Sequence, residues 1–317
     1  MTEPRHPLRI AAAPISWGVC EVPGWGRVLD SHTVLTEMVA LGISAMELGP
    51  PEYLPRDPVE LRSLLDEFGI RAIGGFLALP LHLDARPAIQ TARRTAALFA
   101  ATGAEALILA AATGLDGYDT RPPLVDADWH ILIETAAAIR DVAAEYGLRT
   151  TLHPHVGTYV ETEPEVRRFL ADSDLDICLD TGHLLIGGTD PVLLARQYPD
   201  RIGHIHLKDV RSTLANEVRE GAIEYSEAVR RGLYVPLGAG DVDVEALVRS
   251  VHAAGYRGWY VLEQDTALPM DAHSDPDTAV DSDTNPDVAA AWLPSRDALQ
   301  SLRYLADVGS ALTSARI

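Results

Sequence analysis

The sequence alternates between apolar, strand-like runs and amphipathic helical segments along its whole length. The eight predicted strands cover residues 9–16, 44–49, 70–78, 105–111, 148–155, 175–180, 202–209 and 258–265. Five intervening helices end at a glycine that leads directly into the next strand, namely Gly42, Gly69, Gly103, Gly147 and Gly255. Such short connections are typical of repeated βα units, because glycine ends a helix without steric strain. Eight units predict an α/β fold, the (β/α)8 TIM barrel, whose catalytic residues lie at the carboxyl ends of the strands.

A doubly wound open sheet is the competing architecture for this alternation. No GxGxxG or P-loop pattern follows the first strand, so the main positive evidence for an open sheet is missing. No boundary divides the chain, and we predict a single TIM-barrel domain over residues 1–317. It carries an insertion at about 211–238 and an acidic loop at about 266–287. The insertion is predicted to be a lid or a subunit contact, which leaves a homo-oligomer open.

Composition narrows the class of protein. The chain has 317 residues, 47% of them hydrophobic, which is enough for one large barrel. We find no apolar run of the roughly 18–20 residues that spans a bilayer and no signal peptide, so we expect a cytoplasmic protein without membrane contact. The two cysteines, Cys20 and Cys178, lie in strand-like runs and are predicted to be buried, unpaired thiols.

The net charge of −20 argues against a nucleic-acid partner, which requires a basic surface. Part of this charge is local, because residues 271–287 combine many aspartates with Ser, Thr and Pro. This composition is typical of a solvated loop.

Four consecutive strands end in side chains that can bind a metal. The segments are LHPH at 152–155, CLDTGH at 178–183, HIHLKD at 204–209 and VLEQD at 261–265. Alternation along a strand places His153 with His155, and His204 with His206, on one face. Histidine together with carboxylates suits Mn²⁺, Co²⁺, Fe²⁺ or Zn²⁺, whereas a thiolate-rich zinc site is excluded by the cysteine count. Taken singly, each residue could instead be a hydrogen-bonded core histidine or a turn-capping aspartate.

The chain resembles the xylose-isomerase-like TIM-barrel superfamily, which includes sugar isomerases, ketose 3-epimerases and endonuclease IV barrels. Within it, the sequence is most similar to the inosose (2-keto-myo-inositol) dehydratase type. The resemblance rests on PISWGVCEVPGWG at 14–26, AMELGPPEYLP at 45–55, HPHVGTYVE at 153–161, LDTGH at 179–183, HIHLKDVR at 204–211 and GWYVLEQD at 258–265.

The resemblance implies one divalent metal ion, held by side chains from strands five to eight. It assigns the ligands Asp180, His206 and Glu263, and a strand-five ligand that is usually glutamate in the epimerases and isomerases. Here that position is His153, with Glu161 further along the loop, so either residue completes the set. Mn²⁺ is the expected ion, with Co²⁺, Mg²⁺, Fe²⁺ and Zn²⁺ as alternatives.

Further residues have both a functional and a structural interpretation. His183 either contacts substrate oxygen or orients Asp180, and Lys208 either acts in the site or pairs with Asp209 or Asp265 at the rim. Glu47 binds a substrate hydroxyl or forms a buried ion pair. Trp17 and Trp25 face the substrate or plug the barrel mouth. Arg211 is a predicted substrate contact from the insertion, and Tyr225 and Arg230 are the other predicted polar residues of the insertion near the site.

The resemblance implies a lyase that removes water from a keto-polyol through an enediolate. Candidates for the proton transfers are Glu263, His153, His155, Glu161 and Lys208. The alternatives are a sugar or keto-inositol isomerase or epimerase, a 3-keto-glycoside lyase, an endonuclease IV-like nuclease and a non-catalytic binding protein. The nuclease requires a basic DNA-binding surface, and the net charge opposes it. An epimerase usually has two proton-transfer glutamates, and replacement of one by His153 favours elimination.

Overall fold

Eight parallel strands form a closed barrel in the computed structural model, which describes residues 8–270 and 293–314. The barrel strands are β1 (Arg9–Ala12), β2 (Ala45–Glu47), β3 (Arg71–Leu79), β4 (Ala106–Ala111), β5 (Arg149–Leu152), β6 (Asp176–Asp180), β7 (Ile202–Leu207) and β10 (Trp259–Leu262). Strand β1 pairs in parallel with both β2 and β10, which closes the sheet. The closure confirms the predicted TIM barrel and excludes the open sheet.

Helices surround the barrel, and several begin where the sequence provides a cap. They are α1 (Ser31–Ala40), α2 (Pro58–Phe68), α3 (Ala85–Ala101), α4 (Asp126–Ala144), α5 (Glu163–Asp172), α6 (Thr181–Ile186), α7 (Pro191–Gln197), α8 (Ser212–Arg219), α9 (Tyr225–Arg230), α10 (Val244–Ala253) and α11 (Leu293–Ser314). Both α2 and α7 start at an Asp-Pro pair. Asp57 and Asp190 accept hydrogen bonds from first-turn amides, and the proline supplies a helical φ angle. None of the described helices is long and apolar enough to cross a membrane.

Five predicted strands end earlier in the structure than in the sequence prediction, and two of these end near a proline. The first was predicted over 9–16, but it ends at Ala12 and a 3-10 turn follows from Pro14 to Trp17. The fifth was predicted over 148–155 and ends at Leu152, two residues before Pro154. Proline cannot donate the next ladder hydrogen bond, so the chain leaves the sheet there. His153 and His155 therefore lie on a loop rather than on one strand face.

The barrel interior is apolar beside strands β1, β2, β3 and β10, and it is polar at the carboxyl ends of β6 and β7. Ala11, Ala45, Ile73 and Val261 belong to a buried cluster. Val261 stands beside His206 in the β10–β7 register, and His206 stands beside Asp180 in the β7–β6 register. Neighbouring positions across the strands thus change from the alkyl side chain of Val261 to His206 and Asp180 at the carboxyl ends of β7 and β6.

The insertion follows β7 and contains α8 and α9. Its ends pair as an antiparallel ribbon between β8 (Asp209–Val210) and β9 (Tyr234–Val235). The predicted acidic loop at about 266–287 lies mostly outside the described residues, which stop at 270 and resume at 293.

A buried carboxylate fixes the return of the insertion to the barrel. Asp209 is 1% exposed and accepts four backbone N–H groups. Its Oδ1 accepts from Val210 and Val242 at 3.0 Å, and its Oδ2 accepts from Gly238 and Gly240 at 2.9 Å. Each carboxylate oxygen therefore accepts two hydrogen bonds. Replacing either oxygen with an N–H donor would remove both of its hydrogen bonds.

We expect Asp209→Asn to lower the free energy of unfolding by about 2–4 kcal/mol, because the amide nitrogen faces two N–H donors. Urea unfolding followed by circular dichroism measures this change. Asp243→Asn is the matched control, because Asp243 accepts a single amide at the exposed start of α10. Equal stability of the two variants would contradict the role given to Asp209.

Candidate active site

Asp180 ends β6, and its two carboxylate oxygens face different partners. Oδ1 accepts the N–H groups of Gly182 at 2.9 Å and His183 at 2.8 Å, which caps the start of α6. Oδ2 points into the barrel, 3.3 Å from His153 Nε2 and 3.6 Å from His206 Nδ1. The helix cap thus fixes the rotamer and leaves one oxygen for a ligand role.

His206 is oriented by a carboxylate on the opposite side of its ring. Its Nε2 lies 3.0 Å from Glu47 Oε1, and His204 Nε2 lies 2.7 Å from the same oxygen. With Nε2–H donated to Glu47, the lone pair of His206 is on Nδ1. A carboxylate behind a histidine is the usual means of fixing the tautomer of a metal ligand. Glu47 was predicted either to bind a substrate hydroxyl or to form a buried ion pair. It lines the cavity, and its Oε1 contacts both histidines.

The structure brings together the four side chains predicted as metal ligands. Their donor atoms lie within 4.8 Å of one another, and the residues are His153, Asp180, His206 and Glu263. His206 Nδ1 is 3.1 Å from His153 Nε2 and 2.9 Å from Glu263 Oε2. Donors around an ion at about 2.1 Å lie roughly 3.0–3.4 Å apart at ordinary coordination angles. The spacing and the N₂O₂ donor set therefore fit a divalent cation.

Two other donor groups share His206 with this set. One adds Cys178 to His153 and His206, and the other consists of Glu47, His204 and His206. Burial raises the pKa of the Cys178 thiol to about 12, which opposes the thiolate form that a metal requires. Glu47 is already hydrogen-bonded to both of its histidines. Of these three groups, the set of His153, Asp180, His206 and Glu263 is therefore the one best suited to bind a metal ion.

Lys208 follows β7 and places its ammonium beside this set. Its Nζ is 2.7 Å from Glu263 Oε2 and 3.7 Å from Asp180 Oδ2, and it also donates to Asp265 Oδ1. Burial opposes its charge, but the carboxylates of Asp265, Glu263 and Asp180 outweigh burial and raise the pKa of Lys208 well above its usual value. Lys208 is also the only lysine in the sequence. Every other residue counted among lysine and arginine is an arginine. Lys208 therefore lines the cavity and is ion-paired with Asp265, so the two alternative interpretations of this residue are compatible.

His155 and His183 stack on each other beside the cavity, with ring centroids 3.7 Å apart. The Nδ1 of His155 is 2.7 Å from the Val156 carbonyl, so it carries the proton and leaves the lone pair on Nε2. Burial, followed by the charges of His153 and Lys208, lowers the pKa of His155 to about 3. His155 is therefore a neutral hydrogen-bond acceptor.

His183 was predicted either to contact substrate oxygen or to orient Asp180, and the structure contradicts the first of these. It is 1% exposed and stacks behind His155 without lining the cavity itself. Its Nδ1 accepts the Val156 N–H at 3.4 Å, and its Nε2 is 3.6 Å from Asp265 Oδ2.

A cavity of about 260 Å³ opens over the four converging side chains. Its apolar wall includes Ile15, Trp25, Phe76 and Leu77. Its polar lining residues are Cys20, Glu21, Glu47, Tyr118, His153, His155, Lys208, Tyr225, Glu263 and Asp265. Four carboxylates and one ammonium therefore face this space from the part of the chain that the structure describes.

Residues 112–125, which we call the cover loop, close one side of the cavity. Tyr118 packs against His155 at 4.4 Å between ring centroids, and its hydroxyl donates to Glu21. Gly157 has φ +76°, and a Cβ there would lie 2.3 Å from the Tyr118 carbonyl oxygen. A side chain at this position would push the cover loop away from the site.

Glu161 anchors the cover loop and does not line the cavity, which corrects its prediction as a catalytic base or alternative ligand. Its Oε2 is 3.3 Å from Arg121 Nε and accepts the Gly157 N–H at 2.9 Å. Arg121 also pairs with Glu165 at 2.6 Å. The carboxylate of Glu161 is therefore committed to an ion pair outside the cavity.

Two predicted substrate contacts point away from the cavity. Trp17 is fully buried and donates from Nε1 to Glu37 Oε2 at 2.7 Å, because the 3-10 turn directs it toward α1. Arg211 is exposed and donates to the Gly232 carbonyl. Trp25 does line the cavity, held by a bond from its Nε1 to the Thr266 carbonyl.

The sequence interpretation missed Asp265 and Tyr118 as cavity residues, and it named Tyr225 only as a polar residue of the insertion. Asp265 is two residues after Glu263, so alternation along the extension of β10 was an available signal. Tyr118 lies on a loop and Tyr225 begins the short helix α9 of the insertion, and no strand periodicity points either residue to the site.

Comparison with known proteins gives the family. The sequence model of the xylose isomerase-like TIM barrel matches residues 35–292, which is more than half of the chain. The chain belongs to this family. A xylose isomerase-like relative named inosose dehydratase, from Geobacillus kaustophilus, is 32% identical over 278 residues. The match covers 83% of this chain and 90% of that protein.

Solved structures of other proteins share the fold of this chain. An L-ribulose 3-epimerase has a TM-score of 0.66 at 16% identity, with 98% of this chain and 97% of that chain covered. The IolI protein, whose crystal structure contains a zinc atom, has a TM-score of 0.65 at 13% identity. That match covers 96% of this chain and 99% of that chain. At these identities the likeness establishes the fold alone.

Proposed function

We propose that this chain is a metal-dependent dehydratase that removes water from 2-keto-myo-inositol or a closely related keto-polyol. The observation that carries the proposal is the pairing of one cavity-facing carboxylate, Glu263, with one buried ammonium, Lys208, beside a metal-competent donor set. The similarity to an inosose dehydratase over most of both chains supports the same reaction.

Glu263, Asp180, His206 and His153 would hold the metal, and we propose Mn²⁺ as the ion. Two imidazoles and two carboxylates suit an ion of intermediate hardness, so Co²⁺, Fe²⁺, Zn²⁺ and Mg²⁺ are the alternatives. A divalent ion bound there would polarise the substrate ketone and stabilise negative charge on its oxygen.

Proton transfer is assigned to Glu263 and Lys208. Glu263 takes the proton from the carbon next to the ketone, and the electrons of that C–H bond form an enolate with the carbonyl. The enolate then re-forms the ketone, its electrons make the C=C bond between the α- and β-carbons, and the C–O bond at the β-carbon breaks with its electron pair on oxygen. That oxygen takes a proton from Lys208 Nζ and leaves as water, and the resulting enol tautomerises to the dione. The 2.7 Å contact between Lys208 Nζ and Glu263 Oε2 then returns the abstracted proton to the lysine.

The histidines and Glu161 have other tasks in this scheme. The lone pair of His153 Nε2 points to the metal position, so it does not take the substrate proton. His155 donates its Nδ1–H to the Val156 carbonyl, which leaves Nε2 to accept a hydrogen bond from a substrate hydroxyl.

Elimination is favoured over epimerisation by the position of Glu161. An epimerase needs a second proton-transfer group on the opposite face of the substrate. Glu161 was the candidate for that role, and its ion pair with Arg121 keeps it outside the cavity. The remaining acid and base, Lys208 and Glu263, touch each other on one side.

The size and charge of the cavity favour a small, uncharged substrate. Its volume of about 260 Å³ is below the roughly 300–1,000 Å³ of pockets for drug-sized ligands, which favours one ring over a glycoside. The cavity is lined by four carboxylates against one ammonium, and a bound divalent ion would still leave this balance negative by one charge. A phosphorylated or carboxylated sugar would meet net repulsion there.

We expect the Mn²⁺-loaded protein to convert 2-keto-myo-inositol in D₂O into a dione that is lighter by one water. Ultraviolet absorbance and mass spectrometry measure this product. An isomer of unchanged formula that carries one deuterium would instead identify an epimerase.

A further inference from the structure

The backbone of Lys208 is held on both sides by one threonine. Thr181 Oγ1 accepts the Lys208 N–H at 2.8 Å and donates to the Lys208 carbonyl at 2.5 Å. Gly182 allows close packing here, because a Cβ on it would be 2.8 Å from Lys208 Cβ and 2.9 Å from Tyr234 Cε1. The residues after β6 therefore fix where the lysine side chain begins.

The end of that side chain is fixed by a second group of buried residues. Asp265 accepts from Lys208 Nζ through Oδ1 and from the Tyr225 hydroxyl through Oδ2, the latter at 2.6 Å. The hydroxyls of Tyr225 and Tyr234 are 2.9 Å apart, and Lys208 Nζ lies 5.3 Å from the centre of the Tyr234 ring. Lys208, Tyr225, Tyr234 and Asp265 are all at most 7% exposed.

Tyr225 comes from α9, so the insertion contributes directly to the cavity wall. Its hydroxyl keeps the Asp265 carboxylate from turning away from the lysine. A hydrogen bond between charged groups is strong and directional in a buried site, which makes Asp265 an effective anchor for the ammonium. The anchored group is the only lysine of the sequence. Its ammonium is a compact charge that contacts Glu263 and Asp265, whereas an arginine would present a planar guanidinium to them.

We propose that Tyr225 and Asp265 are positioning residues that hold the Lys208 ammonium against the hydroxyl oxygen that departs from the substrate. This inference rests on the proposed dehydration and adds a specific function for the insertion. The anchor acts on the departure of water and leaves removal of the α-proton to Glu263. Its loss should therefore slow the two steps unequally.

The test compares Tyr225→Phe with Tyr256→Phe as the matched control. Tyr256 also donates its hydroxyl to a protein acceptor, the Trp259 carbonyl at 2.8 Å, but at the opposite end of the barrel. Both Mn²⁺-loaded variants are assayed on 2-keto-myo-inositol in D₂O. The readouts are kcat, KM, bound Mn²⁺, and the ratio of α-deuterium incorporated into remaining substrate to water lost.

For Tyr225→Phe we expect kcat to fall about 10- to 100-fold with KM within about threefold and bound Mn²⁺ unchanged. The exchange-to-elimination ratio should rise at least about fivefold, because substrate deprotonated by Glu263 returns more often before water departs. Tyr256→Phe should match the wild type in every readout.

Three results would overturn the inference. One is a Tyr225→Phe variant whose kcat equals that of the control, and another is a fall in kcat with an unchanged exchange-to-elimination ratio. If Tyr225→Phe does not fold, Asp265→Asn is judged by the same ratio. A wild-type protein that releases no water overturns the proposed function and this inference together, whereas the first two results leave the dehydratase standing.

Discussion

Glu263→Gln is expected to reduce bound Mn²⁺ from about one equivalent per chain to less than about a tenth, and dehydration by at least about 10³-fold. Glutamine keeps the shape of the side chain but removes the charge from a ligand that lies 2.9 Å from His206 Nδ1. It also removes the base that takes the α-proton. Elemental analysis after chelation and reconstitution measures the metal, and the dione absorbance measures turnover.

Glu105→Gln is the control for this experiment. Glu105 is a half-exposed carboxylate paired with Arg71 at the amino-terminal end of the barrel. His206→Ala should match Glu263→Gln in metal loss, because both remove a donor from the same set. Full metal occupancy in both ligand variants would contradict the proposed site.

Lys208→Met is expected to separate turnover from metal binding. The ammonium competes with a cation for Glu263 and Asp180, so its removal should leave Mn²⁺ affinity unchanged or make it tighter. Dehydration should still fall by about 10³-fold, because the departing hydroxyl has no proton donor. Mn²⁺ titration by calorimetry and the dione assay measure the two effects on one sample.

Lys208→Arg tests whether charge alone is sufficient. It keeps the positive charge but replaces a compact ammonium with a planar group, so we expect turnover to remain at least about 10²-fold below the wild type. Turnover near the wild-type level in Lys208→Met would remove the lysine from the mechanism.

The barrel and the converging side chains were predictable because both follow from repetition. Glycine-ended helices before apolar runs specify βα units, and the carboxyl ends of parallel strands meet at one face. Asp180, His206 and Glu263 each end or follow a strand, so their convergence needed only the fold. His153 reaches the same point from a loop, since its N–H still bonds the Leu109 carbonyl at 2.7 Å.

The errors concern side chains whose partners are distant in sequence. Trp17 and Trp25 lie in one loop, yet a 3-10 turn sends the first toward Glu37 and leaves the second facing the cavity. Glu161 is held by Arg121, and the two belong to different loops with no local pattern that links them. Long-range pairs of this kind depend on how loops pack, which periodicity and spacing do not encode.

A folded surface without lysine also changes how this protein can be labelled. Lys208 is the only side-chain amine of this sequence and is 2% exposed, so acylating reagents should react slowly with the side chains of the folded protein. Acylation of a side chain would require access to Lys208, so its rate reports how often the cavity opens.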